Sequence, residues 1–486
     1  MTRESEALYH GITLLSDETV EAARLGRVRK RTPWRRWAAA AAAVVMVAAV
    51  GAPALRGLHG GASDLAVRAE YPAMAPYPDE SRYMTWTGDL KDSFFKAYDA
   101  WWQDVRAQRE QGAAITEDMT GFLALSIRCF LGGEMGENRV YSPLNVYMAL
   151  SLLAETTGGE SRQQLLSLLG AASIEDLRAQ AAAVWNAHYL DDGVTKSVLA
   201  SSVWLDRDLT CNSEVLQTLA RTYYASSYRG EMGSRELNEA LRAWLNEQTG
   251  GLLEEQAKDL ELDRETLLAL AATVYFRAKW TEEFSPSLTK SGTFHAPGGD
   301  LTCDFMYQSG SDTYYWGDAF SAIVRPLESG GGMWLLLPDE GVTPEALLED
   351  EEAMAFLCAP GQNWEGKSKH LQVDQCIPKF DIASDTNLLP GLAALGITDL
   401  LAPGTADFTP LTDREDLYLS QARHAARVSI DEAGCTAAAY TVMAAPTGEM
   451  PPEERVSFTL DRPFLFAITG PTDLPLFTGV VNRPAA

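Results

Sequence analysis

Halfway along this 486-residue chain the spacing of apolar residues changes, and that change constrains the fold more than any other feature. From about 117 to 260 they recur three and four apart, as in "EDMTGFLALSIRCFLGG" and "ELNEALRAWLNEQTGGLL". This is the period of helices that bury one face. Strand-like runs follow: "TLLALAATVYFRAKW" (266 to 280), "AIVRPL", "MWLLLPD" and "KHLQVDQCIPKFDI". Helices first and strands later predict an α+β domain in which helices pack on a large, mainly antiparallel sheet. With 46% hydrophobic and 22% charged residues the chain has enough apolar surface to bury a core, so most of it is expected to fold.

The formal net charge of -27 argues against nucleic acid as a partner, because an acidic surface repels phosphate and no basic stripe interrupts it. The six cysteines, Cys129, Cys211, Cys303, Cys358, Cys376 and Cys435, show no C-x-x-C spacing. Neither a zinc site nor a disulfide scaffold is expected, and no cofactor or metal is implied.

Residues 37–55, "WAAAAAAVVMVAAVGAPAL", are uncharged and follow the basic block "RLGRVRKRTPWRR". A helix of this length, at ~1.5 Å per residue, just crosses the ~30 Å apolar layer of a bilayer. The one-sided positive charge predicts a signal-anchor helix over 37–55, a cytoplasmic tail over 1–36 and the rest of the chain outside. Cleavage near Ala54, at "APA", would instead release a secreted protein, and a buried Ala-rich helix is the third reading. Residues 56–113, rich in Gly, Pro and Tyr, read as a stalk or lead-in, with the folded domain at 114–486.

Near the far end, "DEAGCTAAAYTVMAAPTGEMPPEE" (431–454) is small and β-capable in its first half. Its second half has the Pro, Gly and Glu of an exposed loop. Several blocks place this stretch in a family. "NRVYSPLNVYMALSLLAETTGGESRQQLLSLLG" (138–170) resembles the first helical signature of serpins, and "TLLALAATVYFRAKWTEEFSPSLTKSGTFH" (266–295) their central strand. "MWLLLPDEG", "IPKFDI", "LAALGITDLLAPGTADFTPLT" and "LFTGVVNRP" follow in the family's order. The resemblance spans roughly 114–486 and implies the serpin fold: helices on a large sheet, two further sheets and an exposed reactive-centre loop at 431–454.

The resemblance implies suicide inhibition of serine proteases. A protease cuts the loop, and the loop's first half inserts as a strand and traps the acyl-linked enzyme. Side chains of a strand alternate faces. From the hinge Glu432 and Gly434, one face carries Cys435, Ala437, Ala439 and Thr441, all small; the other carries Thr436, Ala438 and Tyr440. No charge would have to be desolvated on the small face. The family has Thr or Ser at 435 and Glu at 436, so Cys435 and Thr436 depart from its pattern, and a disulfide through Cys435 would tether the hinge.

His424 and Ser142 match the family's shutter, a polar cluster under the sheet. Its second serine is here Asn145 and its central-strand asparagine Ala272, so Asn145 is expected to supply the amide missing at Ala272 and satisfy His424. Trp280, Lys379 and Glu432 match the breach, where insertion starts. A Lys379–Glu432 pair is either a latch on the hinge or an ordinary surface ion pair.

Two counts along the loop give Gly448 and Glu449 as the residue before the cut. No Lys or Arg occurs from 433 to 454, which argues against trypsin-like targets and favours elastase- or subtilisin-like enzymes over a glutamate-specific one. The expected product is a monomer displayed outside a bacterial cell that forms covalent acyl complexes with extracellular serine proteases. Its rival is a non-inhibitory serpin, cut as a substrate or serving as a surface binding module. "GQNWEGKS" (361–368) matches a phosphate-loop pattern but lacks the strand before and helix after that the pattern needs. No G-x-S-x-G or H-E-x-x-H occurs, so no hydrolase is expected.

Overall fold

Among the described residues six helices begin where the sequence offers a side-chain oxygen to orphan backbone N–H groups: Ser142, Ser173, Asn212, Ser234, Thr343 and Asp350 each accept one from the first turn that follows. The structure, a computed structural model, describes residues 42–46, 63–79, 82–85, 90–110, 119–133, 136–192, 195–258, 260–328, 330–435 and 452–484. The longer helices are α1 (Asp92–Glu110), α2 (Thr120–Leu131), α3 (Pro143–Thr156), α4 (Gly159–Leu169), α5 (Ile174–His188), α6 (Ser213–Thr222) and α7 (Arg235–Gln248). Every residue of α3 is buried, as its nearly continuous apolar run requires. Its one charge, Glu155, is held by Arg178 at 2.5 Å and by the Tyr223 hydroxyl at 3.1 Å.

Strands β1 (Ala42–Met46), β2 (Ser63–Val67), β3 (Arg139–Tyr141), β4 (Leu190–Asp191), β5 (Lys196–Asp206), β6 (Ala225–Gly230) and β7 (Leu268–Lys279) come first. Then follow β8 (Lys290–Ala296), β9 (Gly299–Trp316), β10 (Phe320–Pro326), β11 (Gly332–Pro338), β12 (Ser368–Pro378) and β13 (Phe380–Asn387). The last are β14 (Arg423–Ile430), β15 (Gly434–Cys435), β16 (Arg455–Thr459), β17 (Phe464–Thr469) and β18 (Pro475–Val481). Among the described residues the first sheet has the order β13-β14-β1-β7-β5-β6-β2, with β15 added on β7 and β4 on β5. The second runs β16-β12-β9-β10-β11-β17-β18-β3, with β8 on β9.

The expected α+β architecture is present, with differences of detail. β5 and β6 lie inside the stretch read as helical. The central nine residues of β5 are buried on both faces, so its sequence shows no alternation to betray a strand. The stretch 56–113 is not, in its described parts, a free stalk. β2 pairs with β6, and the Tyr71 ring stands 5.2 Å from that of Trp185 and 5.8 Å from that of Tyr189. α1 packs on α5, with Gln108 Nε2 donating to Asn186 Oδ1 at 2.8 Å. Aromatic side chains in the lead-in give it apolar surface to bury, which a linker lacks.

Among the described residues no helix is long and apolar enough to cross a membrane. The tail 1–36 and most of 37–55 lie outside the described residues, but Ala42–Met46 is strand, not the helix expected there. It runs antiparallel to both β7 and β14, Ala42 opposite Phe276 and Met46 opposite Ala272 and His424. Two β-branched valines suit a strand, and two open sheet edges supply partners for every N–H and C=O. β7 and β14 therefore run parallel to each other with a gap between them. Past the end of β1 that gap continues as a cavity of about 250 Å³, lined by Leu268 and Leu270 on one flank and Leu419 and Ala422 on the other.

Candidate functional site

The chain leaves β14 at Ile430 and folds at once onto the end of β7. Gly434 pairs with Lys279 and Cys435 with Ala278, antiparallel, so the first residues beyond the turn already form one rung of a new strand. Gly434 has φ +145°, and a Cβ there would lie 2.5 Å from the Ala278 carbonyl oxygen and 2.7 Å from Lys279 Cα. Only glycine permits so close an approach. Thr436, Ala437, Ala438, Ala439, Thr441, Gly448 and Glu449 lie outside the described residues.

Four residues hold the turn itself. Trp280, fully buried, donates from Nε1 to the Asp431 carbonyl at 2.9 Å and from its backbone N–H to the Ala433 carbonyl at 3.2 Å. Phe284 N–H donates to the Glu432 carbonyl at 2.8 Å. Lys379 Nζ donates to Glu432 Oε2 at 2.8 Å, and the Thr289 hydroxyl to Oε1 at 2.7 Å. Partial burial pushes the Glu432 carboxyl up, but the bonds from Lys379 and Thr289 outweigh it and the net shift is downward. Thus Trp280, Lys379 and Glu432 do meet, whereas Thr289, Phe284 and Asp431 were missed. Asp431 and Thr289 belong to blocks already quoted, but nothing in their spacing points at Glu432.

Beneath the sheet, His424 is fully buried and its Nε2 accepts the Ser142 backbone N–H at 3.1 Å. The imidazole is neutral, its pKa pushed down to about 3 by burial. Ser142 Oγ in turn accepts the Asn145 backbone N–H at 3.3 Å. The amide exchange expected between Asn145 and Ala272 is corrected here. Neither Asn145 side-chain atom has a hydrogen-bond partner, and His424 Nδ1 has none either. The helix start at Ser142 turns a backbone N–H, not the Asn145 amide, towards the ring.

The phosphate-loop match falls in a turn after the helix Glu351–Cys358 and before β12, the reverse of the order that motif needs. Its Lys367 is occupied by Glu352 and by Asp318 at 2.7 Å. Cys129, Cys211, Cys303, Cys358 and Cys376 are free thiols, and burial drives those of Cys303 and Cys358 up to about 11 and about 12. The Cys435 side chain lies outside the described residues.

The site thus consists of two parallel strands, β7 and β14, with β1 between them and a glycine hinge seated on the end of β7. The family model described as "Serpin (serine protease inhibitor)" matches residues 127–484, and the chain belongs to the serpin family. It is a protease inhibitor and not an enzyme. The rice protein Serpin-ZXA is 30% identical over 381 residues, 74% of this chain and 94% of its own length. Bovine plasminogen activator inhibitor 1 is 27% identical, over 71% of this chain and 87% of its own. Among solved structures, the thermophilic serpin tengpin in its native state is 25% identical with TM-score 0.66, covering 75% of this chain and 93% of tengpin. The Arabidopsis serpin AtSerpin1, in its native stressed conformation, is 26% identical with TM-score 0.65, covering 78% and 98%.

Proposed function

We infer that this serpin inhibits serine proteases by suicide trapping. A target protease attacks the bond after Gly448 or Glu449 and forms an ester with the residue before the cut. The freed first half of the loop then inserts between β7 and β14 and carries the acyl-enzyme with it. The observation that carries this reading is the seated rung Gly434–Lys279 and Cys435–Ala278. Continued residue by residue, that register sets Ala437 opposite Phe276 and Thr441 opposite Ala272. The side chains of the small face, Cys435, Ala437, Ala439 and Thr441, carry no bulk and no charge to be desolvated on the way in.

In this reading Lys379, Thr289 and Trp280 hold the hinge until the loop is cut, and His424 with Ser142 ties β14 to the start of α3. The uncharged "TVMAAPTGE" makes elastase- or subtilisin-like enzymes the targets. The domain acts outside a bacterial cell as a monomer, anchored through 37–55, a placement supported by the basic block preceding that run. Anchor helix and strand β1 exclude each other for Ala42–Met46. Membrane fractionation with protease accessibility of the domain decides between them: a carbonate-extractable domain would remove the anchor.

One observation favours the rival reading, a serpin cut as a substrate or used for binding. Ala42–Met46 pairs with the same β7 residues, Phe276 to Ala272, that Ala437–Thr441 would need. While β1 stays there, a cut loop finds its place taken. The deciding experiment mixes the full chain with elastase- and subtilisin-like proteases, followed by denaturing gels and mass spectrometry of the released peptide. A band at the summed mass is expected, with the peptide starting at Glu449 or Met450. Complete cleavage with the protease still active would establish the substrate reading.

A further inference from the structure

Behind the hinge sits a buried cation that none of the family blocks accounts for. Arg325, on β10, is 3% exposed. Its guanidinium carbon stands 4.5 Å from the centre of the Phe284 ring and 5.9 Å from that of Trp280. These two rings, 6.2 Å apart and edge to face, belong to the residues whose N–H groups hold the carbonyls of 431–433. One Arg325 nitrogen donates to the Glu282 carbonyl and, at 3.1 Å, to Gln308 Oε1. The other reaches Gln375 Oε1 at 3.4 Å, and Gln375 Nε2 donates to Asp312 Oδ2 at 2.6 Å. The guanidinium thus joins four elements: β10, the 280–284 turn, β9 and β12. β12 leads directly into Lys379, the partner of Glu432.

Removing a guanidinium from water is costly, and an apolar side chain of similar size would ordinarily pack there at no loss of stability. A planar fork does what such a side chain cannot. It fixes a carbonyl of the turn and two glutamines in one plane while its face bears on both rings. The geometry points to Arg325 as a positioning residue for loop insertion. It clamps the 280–284 turn from behind, so that Trp280 and Phe284 present their N–H groups to 431–433 and the hinge stays seated but closed. The role rests on the trapping mechanism proposed above. The clamp itself is a property of the uncut molecule and is measurable without any protease.

The test uses the full chain with Arg325→Met, which fills the space without the fork, and Arg325→Lys, which keeps the charge. Hydrogen exchange under native conditions is followed in peptides covering 279–285 and 431–435, with Leu465–Ala467 of β17 as a distant core reference. The expected result is about tenfold faster exchange at both hinge peptides in Arg325→Met, a smaller increase in Arg325→Lys, and no change at the reference. Equal exchange in wild type and Arg325→Met overturns the proposal. So does faster exchange in all three peptides together, because that marks only a general loss of stability. If wild type forms the covalent complex, Arg325→Met shifts the outcome from complex towards cleaved inhibitor, and an unchanged ratio overturns the proposal too. If wild type forms none, the suicide reading fails while the exchange result still judges the clamp.

Discussion

Two buried histidines set how this molecule responds to acid. His424 and His188 are both almost wholly enclosed, and burial, the largest cause in each, lowers their pKa values to about 3 and about 4. A histidine in the unfolded chain titrates near ~6.5. The unfolded state therefore binds protons first as pH falls, so their contribution to stability is complete above ~6.5 and is lost progressively towards pH 4. Between pH 7.5 and 5.5 the loss is expected to be roughly 2 to 3 kcal/mol, read from urea unfolding midpoints, with His424→Gln removing about half of it. A flat profile in wild type would show that the rings are not held neutral. His295, raised by Asp300, works in the opposite direction, but it is exposed. At this scale the resemblance to the family singled out Lys379, Glu432, Trp280, His424 and Ser142, and the structure brings the first three together at the turn and the last two together under the sheet. The sequence misjudged Asn145, because a hydrogen bond made by a backbone N–H leaves no mark on side-chain identity.

Among the elements, the loop carries the sharpest test. An Ala439→Glu substitution puts a carboxylate on the face of small residues, where insertion would have to desolvate it at a cost of several kcal/mol. The expected outcome is a protein folded and cut as well as wild type but acting as a substrate, with the SDS-stable complex greatly reduced. A complex formed at the wild-type ratio would place that side chain on the outer face or end the insertion mechanism. The elements themselves were unevenly legible. β7, β10, β11, β12 and β13 announce themselves by runs of apolar or alternating residues. β9 hides because its outer half, "YQSGSDTYYW", is polar and glycine-containing and takes its place through eleven paired residues of β12. Such strands are specified by their neighbours rather than by their own propensity.

For the whole molecule, the parted sheet predicts a change in stability on cleavage. A strand of about ten residues added between β7 and β14 gains on the order of ten backbone hydrogen bonds at ~1 kcal/mol each, which raises the melting temperature by on the order of 10 °C in a domain this size. Calorimetry before and after cutting the loop measures it. No rise would mean that Ala42–Met46 keeps the gap and that the loop stays outside.

The sequence by itself determined the family, through blocks that resemble it in order and spacing, and the α+β order and the composition of a loop that can become a strand, because these last two depend on periodicity and on residue size read along the chain. Which residues meet at the hinge was decided only by the tertiary structure. The same holds for the guanidinium behind Trp280, the histidine that takes a backbone N–H, and the alanine-rich stretch lying in the sheet. Partners such as Arg325 and Gln375 are 50 positions apart, and Ser142 and His424 are 282 apart. Contacts of that kind follow from how sheets and helices stack, which no local pattern of residues encodes.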